Sequence, residues 1–121
     1  MHARIASRMR TEEQEQRHLA AWLDAKGLVW TATANGGKRH IAVARKLKAS
    51  GVKAGVPDIL IFTPPPGGCW SGAAVELKRV KGGRASPVQK TWLAKLGVCG
   101  WVCTVAKGAD DAIEWLTALG Y

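Results

Sequence analysis

The sequence has few of the residues that characterise disulfide-bonded and zinc-binding proteins. Only three of its 121 residues are cysteine and three are histidine. The cysteines are odd in number and form no C-x-x-C pair, and the histidines show no ligand spacing, so neither a disulfide framework nor a zinc knuckle is indicated. We expect the thiols to be buried as small apolar side chains, namely Cys69, Cys99 and Cys103.

Long apolar segments are also missing. No run reaches the length that spans a membrane, and the first ten residues contain no apolar stretch like that of a signal peptide. The chain is nevertheless 47% hydrophobic and contains six Trp, which is enough to bury a core. We therefore expect a soluble, cytoplasmic protein without a membrane partner, in which residues 1–121 form a single domain.

Acidic residues are scarce as well. Nine Asp and Glu stand against 18 Lys and Arg, which gives a net charge of +9 and a pI near 10.0. A surface this cationic favours a polyanionic partner, either nucleic acid or an anionic membrane. Solubility alone rarely requires so large an excess, and no basic amphipathic helix is evident, so nucleic acid is the better explanation.

The few acids are unevenly placed along the chain. Between Ala25 and Ala109 the sequence contains fourteen Lys or Arg but only two carboxylates, Asp58 and Glu76. A surface that binds phosphates is expected to exclude carboxylates, because they repel the ligand. A divalent cation that bridges carboxylate and phosphate would explain both acids, and two isolated salt bridges would explain them equally well.

Four segments are predicted to be helical. Two of them open with capping boxes, Thr11-Glu-Glu-Gln and Ser86-Pro-Val-Gln. A short basic helix is predicted over 41–49, and a last helix carries two acids in its first turn. Glycines are expected to end three of these helices, at Gly27, Gly97 and Gly120.

Four segments are predicted to be strands. They are rich in β-branched and apolar residues and are bounded by Gly and Pro, over residues 28–34, 59–62, 73–80 and 100–105. The second and third follow each other as a hairpin. The order of helices and strands predicts an α/β fold with one mixed β-sheet of about four strands flanked by helices.

The two isolated acids lie on the predicted hairpin. Period-two alternation puts Glu76 and Lys78 on one face of a strand, and Asp58 opens the preceding strand. If these strands pair, both carboxylates can share a cation with the backbone carbonyl of Leu77, and oxygen ligands of this kind suit Mg²⁺ or Mn²⁺. The simpler alternative is a cross-strand ion pair on a solvated sheet face.

Three segments together resemble one nuclease family. They are Gly55-Val-Pro-Asp-Ile-Leu-Ile-Phe62, Val75-Glu-Leu-Lys78 and Gly83-Arg-Ala-Ser-Pro-Val-Gln89. They are similar to the VRR-NUC family, the virus-type replication and repair nucleases of the PD-(D/E)xK superfamily. The resemblance extends from the first helix to Trp101. It implies a restriction-endonuclease-like fold and metal-dependent hydrolysis of phosphodiester bonds.

The resemblance also implies roles for single residues. Asp58 and Glu76 correspond to metal ligands and Lys78 to the catalytic lysine. Gln89 corresponds to a family glutamine, although its N3 position is equally explained by helix capping. The family has an acid on its first helix, for which Glu12 is preferred and Glu15 stays open, since both share a face with Leu19 and Leu23.

With nothing attached to the nuclease module, the chain resembles the standalone, virus-type members, which act as homodimers on branched DNA. The leading hypothesis is therefore a Holliday-junction (four-way junction) resolvase. One competing hypothesis is a non-catalytic nucleic-acid-binding module, which would be expected to have lost one of Asp58, Glu76 and Lys78. A general or sequence-specific nuclease is the other.

Contact with DNA is assigned to basic residues on both sides of the acids. They are Lys38, Arg39, Arg45, Lys46, Lys48, Lys53, Arg79, Lys81 and Arg84. Core packing accounts for most of the tryptophans. Only Trp70, in a Pro/Gly-rich loop, is considered for DNA contact or dimerisation, with core packing as the simpler expectation.

Overall fold

The computed structural model describes residues 10–33 and 41–121, which form a mixed α/β structure. Its elements in chain order are α1 (Glu12–Ala25), β1 (Trp30–Ala32), α2 (Ile41–Ala49), β2 (Ile59–Ile61), β3 (Gly72–Lys78), α3 (Pro87–Val98), β4 (Trp101–Lys107) and α4 (Ala109–Ala118). This is the predicted order. Among these residues no helix is long and apolar enough to cross a membrane.

The four strands form one sheet in the order β1-β2-β3-β4. β1 and β2 pair antiparallel, and β2 and β3 form the predicted antiparallel hairpin. β4 joins β3 in parallel after the α3 crossover. The predicted α/β class, with about four strands flanked by helices, is confirmed.

The hydrophobic core lies between one face of the sheet and helices α1 and α4. Leu19 and Leu23 of α1 and Leu116 of α4 are fully buried against Ile59 and Val75 of the sheet. Burying a side chain of this size stabilises the fold by roughly 1.5–3 kcal/mol. The core therefore fixes α1 across the sheet, next to the end of β2 where Asp58 lies.

Both predicted capping boxes are present. The Thr11 hydroxyl accepts from Gln14 N while the Gln14 side chain accepts from Thr11 N, and Ser86 and Gln89 do the same at α3. These reciprocal bonds satisfy donors that a helix start otherwise leaves unpaired.

Some predicted element ends were wrong. Gly97 lies inside α3, and the chain leaves the helix at Gly100, which takes the left-handed conformation with φ +89°. The first strand is only Trp30–Ala32; before it, Val29 N donates to the Thr63 hydroxyl and Val29 O accepts from Phe62 N. The expected burial of the thiols was also wrong, since Cys69 and Cys99 are exposed and Cys103 is half-buried.

Candidate active site

The strand register brings the two isolated acids together. Ile59 pairs with Val75, so the next position outward sets Asp58 opposite Glu76. Asp58 Oδ2 accepts a hydrogen bond from Leu77 N at 2.8 Å, which fixes the carboxylate against β3. Thr33 N donates to Asp58 O at 2.8 Å and holds the backbone from the other side.

The segment before Asp58 is shaped by close packing. Gly55 has φ +88°, and a Cβ there would lie 2.9 Å from both the Val88 side chain and its backbone oxygen. Pro57 is buried, and its carbonyl accepts from the Thr33 hydroxyl at 2.8 Å. The Gly-Val-Pro-Asp motif thus packs against the start of α3 and positions Asp58 immediately before β2.

Glu76 is almost completely buried, with 1% of its surface exposed. Its Oε2 accepts from Gln89 Nε2 at 3.2 Å and lies 3.4 Å from Lys78 Nζ. Its Oε1 is buried and has no hydrogen-bond partner among the residues that the structure describes. One carboxylate oxygen is therefore held by protein donors, and the other is available to a further ligand.

The environment of Glu76 favours its neutral form. The pKa of Glu76 is raised from 4.5 to about 8, chiefly by burial, then by a hydrogen bond that only the protonated carboxyl can make to Asp58 and by the negative charge of Asp58, while Lys78 opposes the shift. A bound cation would reverse this balance, because it compensates the negative charge that burial and Asp58 penalise.

Lys78 stands next to Glu76 on the same face of β3, as alternation predicts. Its side chain is 13% exposed, so the ammonium group is largely shielded from solvent. The turn that follows packs tightly onto it, since a Cβ on Gly83 would lie 2.7 Å from Lys78 Cβ. This need for glycine at position 83 was missed; the Gly82-Gly83 pair was its only signal in the sequence.

Gln89 caps α3 and also contacts Glu76. Its Oε1 accepts from Ser86 N at 2.8 Å as part of the capping box. Its Nε2 then points at Glu76. Because the capping oxygen orients the amide, the donor is directed at the carboxylate by the same local structure that starts the helix.

Glu12 and Glu15 of α1 have different environments. Glu15 is fully buried, and its Oε1 accepts from Ala109 N at 3.1 Å and lies 3.4 Å from Arg10 Nη1. It therefore joins α1 to the first turn of α4 inside the core. Glu12 is exposed and lines a groove that also contains Asp58. Of the two acids, Glu12 is placed on the side of the candidate site.

The donor set fits a hard divalent cation. Asp58 and Glu76 are adjacent carboxylates and Glu76 Oε1 is unpartnered within the described ranges 10–33 and 41–121. Within the same ranges, no three or more His, Cys, Asp or Glu side chains are grouped so that they could hold a metal ion together. Two carboxylates suffice for Mg²⁺, which keeps several waters and completes its shell with substrate phosphates.

The groove beside Asp58 was not predicted from the sequence. It lies between α1 and β1 and has a volume of about 530 Å³. Trp30 and Ala32 line it from the strand, and Ala20 lines it from the helix. Alternation along β1 places Trp30 and Ala32 on one face, but the width of the groove depends on how α1 packs over the sheet.

The basic residues assigned to DNA contact are exposed wherever the structure describes them. They lie on α2 and in the segments beside the acids, namely Arg45, Lys46, Lys48, Lys53, Arg79, Lys81 and Arg84. Lys38 and Arg39 fall outside the described residues. Trp70 is 41% exposed, so its expected core packing was wrong.

Comparison with known proteins agrees with the motif and the fold. The family model of the VRR-NUC domain matches residues 4–110. A solved structure described as a VRR_NUC domain protein superposes with a TM-score of 0.70 and 28% sequence identity, covering 92% of this chain and 88% of that one. No curated protein gives a significant match. The chain belongs to the VRR-NUC family and has its nuclease-type fold.

Proposed function

We propose that this protein is a Mg²⁺- or Mn²⁺-dependent DNA endonuclease that hydrolyses phosphodiester bonds at branched DNA. One observation carries the proposal: Asp58 and Glu76 lie opposite each other, and the buried Glu76 Oε1 is without a partner among the described residues. Leaving such an atom unpaired costs roughly 1–3 kcal/mol. Glu15 Oε2 is buried and unpartnered in the same way, but only Glu76 has a second carboxylate, Asp58, directly opposite it. Asp58, Glu76 and the Leu77 carbonyl would hold the cation.

The cation supplies two effects when bound, polarising a phosphoryl oxygen and lowering the pKa of a water that attacks phosphorus. The chain contributes the rest. Lys78 Nζ, 3.4 Å from Glu76 Oε2, is placed to stabilise negative charge that develops on the phosphate or to hold the attacking water. Gln89 orients Glu76 through its 3.2 Å hydrogen bond. Glu12 assists from the α1 side, next to Asp58.

DNA is the substrate class that the charge favours. The exposed cations of α2, together with Lys53 and the 79–84 segment, lie on both sides of Asp58 and Glu76 in the sequence. They are not interleaved with amides or aromatics of the kind that read base edges, so contact with phosphates is expected to dominate. Selection would then depend on DNA shape.

A homodimer follows from cutting a four-way junction symmetrically, since each chain has one candidate active site. An exposed aromatic surface supports this assembly. Phe62 is 47% exposed and packs edge-on against Trp101 with ring centroids 5.7 Å apart, and Trp70 precedes the same end of β3. Exposed aromatic side chains are typical of protein interfaces, and Phe62→Ser should shift sedimentation from dimer towards monomer.

The deciding experiment is digestion of four-way-junction, flap and linear duplex DNA of matched length, with Mg²⁺, with Mn²⁺ and with EDTA. The proposal expects symmetric cuts in the junction that EDTA abolishes. Equal cutting of all three DNAs would instead indicate a general nuclease. Binding without any cleavage would favour a non-catalytic nucleic-acid-binding module.

A further inference from the structure

The groove between α1 and β1 has walls suited to a flat apolar group. Among the described residues, Trp30 is its only aromatic lining residue, and two others, Ala20 and Ala32, have side chains no larger than a methyl group. Its volume of about 530 Å³ is within the range of small-molecule sites, roughly 300–1,000 Å³. Asp58 is one of its lining residues, so a ligand bound in the groove lies close to one of the two candidate metal ligands.

The Trp30 ring is held in a fixed orientation. Its Nε1 donates to Asp24 Oδ1 at 2.8 Å, which satisfies its one polar atom, and the ring packs on the hydrophobic core. The hydrogen bond at its edge and the packing on the core hold the ring in one orientation. It is therefore preorganised for stacking, because little side-chain freedom is lost when a ligand binds.

The charges around the groove discriminate between parts of a nucleotide. Glu12, Glu13 and Asp58 line it, and the cation Arg17 is paired with Glu13 at 2.8 Å. Carboxylates repel a phosphate but not a neutral base. Gln16, which also lines the groove, can donate to and accept from a base edge.

We propose that this groove binds one unstacked nucleobase of the DNA substrate, stacked on Trp30, from the nucleotide next to the phosphate that a cation on Asp58 and Glu76 would hold. The inference rests on the proposed function and narrows its substrate to DNA with an unpaired or easily unstacked nucleotide beside the cut. Extracting a base from an intact duplex costs a few kcal/mol, and a branch point reduces that cost. The site would thus favour branched DNA through the lower cost of unstacking a base, in addition to any selection by the geometry of a dimer.

The test uses 2-aminopurine, a fluorescent base that is quenched when it stacks on an aromatic ring. It is placed in turn at each position around the branch of a four-way junction, and fluorescence is followed on binding with Ca²⁺ replacing Mg²⁺. We expect strong quenching at a position next to the cut with the wild-type protein. Trp30→Leu should abolish the quenching and weaken binding about tenfold or more, since base–aromatic stacking contributes roughly 1–3 kcal/mol.

Matched variants separate stacking from loss of stability. Trp22→Leu removes another half-buried tryptophan that packs on the same core but does not line the groove, and it should keep the quenching. Ala20→Leu fills the groove from the opposite wall without altering Trp30 and should abolish it. Ala21→Leu, at the neighbouring exposed position, should not. Melting curves accompany all four variants.

Quenching that survives in both Trp30→Leu and Ala20→Leu, or that no position shows with the wild-type protein, would overturn the inference. Because this readout requires no cleavage, its failure is distinguishable from failure of the proposed function. Cleavage without quenching would support the nuclease function and exclude the base-binding site. Quenching without cleavage would support the base-binding site and exclude the nuclease function.

Discussion

The side-chain amide of Gln89 donates to Glu76 Oε2 at 3.2 Å, joining the first turn of α3 to the middle of β3. The same amide caps α3 through Ser86 N. Glu76 is thereby oriented by a helix start rather than by a loop, and its Oε1 has no hydrogen-bond partner among the described residues. Catalytic sites benefit from this kind of support, because misplacement of a ligand by about 1 Å is costly.

Glu76→Gln should remove cleavage and preserve DNA binding. The substituted amide keeps the shape and can still accept from Gln89, but it no longer provides the charge that holds the cation. Loss of several kcal/mol of transition-state stabilisation corresponds to a rate decrease of roughly 100-fold or more. Single-turnover digestion of junction DNA measures the rate and a mobility shift measures binding. Near-wild-type cleavage would refute the ligand assignment.

The metal-free protein should lose stability as the pH rises, because the Glu76 carboxyl is protonated in the folded state. The pKa of Glu76 is about 8 when folded, against 4.5 for an unperturbed glutamate. Between these values the folded protein retains a proton that the unfolded chain has released, so the free energy of unfolding falls from about pH 5 to pH 8. Thermal melts in EDTA across this window measure the slope.

Glu76→Gln is the matched control for that slope, since the amide does not titrate. The variant should be the more stable of the two at pH 8, and the difference should shrink towards pH 5. Identical slopes in wild type and variant would show that Glu76 is already ionised in the folded metal-free protein.

How far the sequence could predict this site depends on how local each feature is. The capping boxes at Thr11 and Ser86 were predictable because their hydrogen bonds join residues three apart. The hairpin that pairs the segments of Asp58 and Glu76 was predictable from alternation and turn residues. Choosing Gly97 over Gly100 as the helix end was wrong, because both glycines permit the left-handed conformation and only packing selects one.

Features that depend on packing between distant elements were not predictable. Glu12 and Glu15 are one helical turn apart, and only the position of α4 shows that Glu15 is committed to Ala109 N. The groove at Trp30 likewise arises from the distance between α1 and β1, which no local pattern encodes.

Replacing Glu12 and Glu15 of α1 one at a time should distinguish an effect on catalysis from an effect on stability. Glu12→Gln should lower cleavage and change the free energy of unfolding by less than about 0.5 kcal/mol, because Glu12 is exposed. Glu15→Gln should cost about 1–3 kcal/mol, since a neutral amide replaces the buried carboxylate that accepts from Ala109 N and pairs with Arg10. Urea unfolding and digestion at a temperature where both variants are folded measure the two effects. The reverse pattern would assign the catalytic acid to Glu15.

Lys78→Ala should abolish cleavage while metal binding is largely retained. The ammonium group cannot be a ligand, and its neighbour Glu76 keeps the hydrogen bond from Gln89. Calorimetry with Mn²⁺ compares Lys78→Ala with Asp58→Ala, which removes a proposed ligand. A loss of metal affinity as large as that of Asp58→Ala would mean that Lys78 organises the ligands rather than acting on the phosphate.

Binding of junction DNA should depend steeply on salt and little on base sequence. The seven described cations assigned to DNA are all exposed, and each phosphate contact adds about −0.9 to the slope of log affinity against log salt. If all seven engage, the slope is about −6. In the proposed homodimer, a linear duplex would occupy the basic surface of only one subunit, whereas a junction would contact both subunits at once.

A junction should therefore bind much more tightly than a linear duplex of matched length, with a steeper salt slope. Titrations at 50 and 200 mM salt, with two junctions of unrelated sequence and their duplex arms as controls, measure both quantities. Replacing Arg45 and Lys46 together should make the slope shallower by about 2 on every DNA, because phosphate contacts are lost irrespective of sequence. Affinity that follows base sequence, or equal affinity for junction and duplex, would exclude the resolvase and leave a sequence-specific or general nuclease.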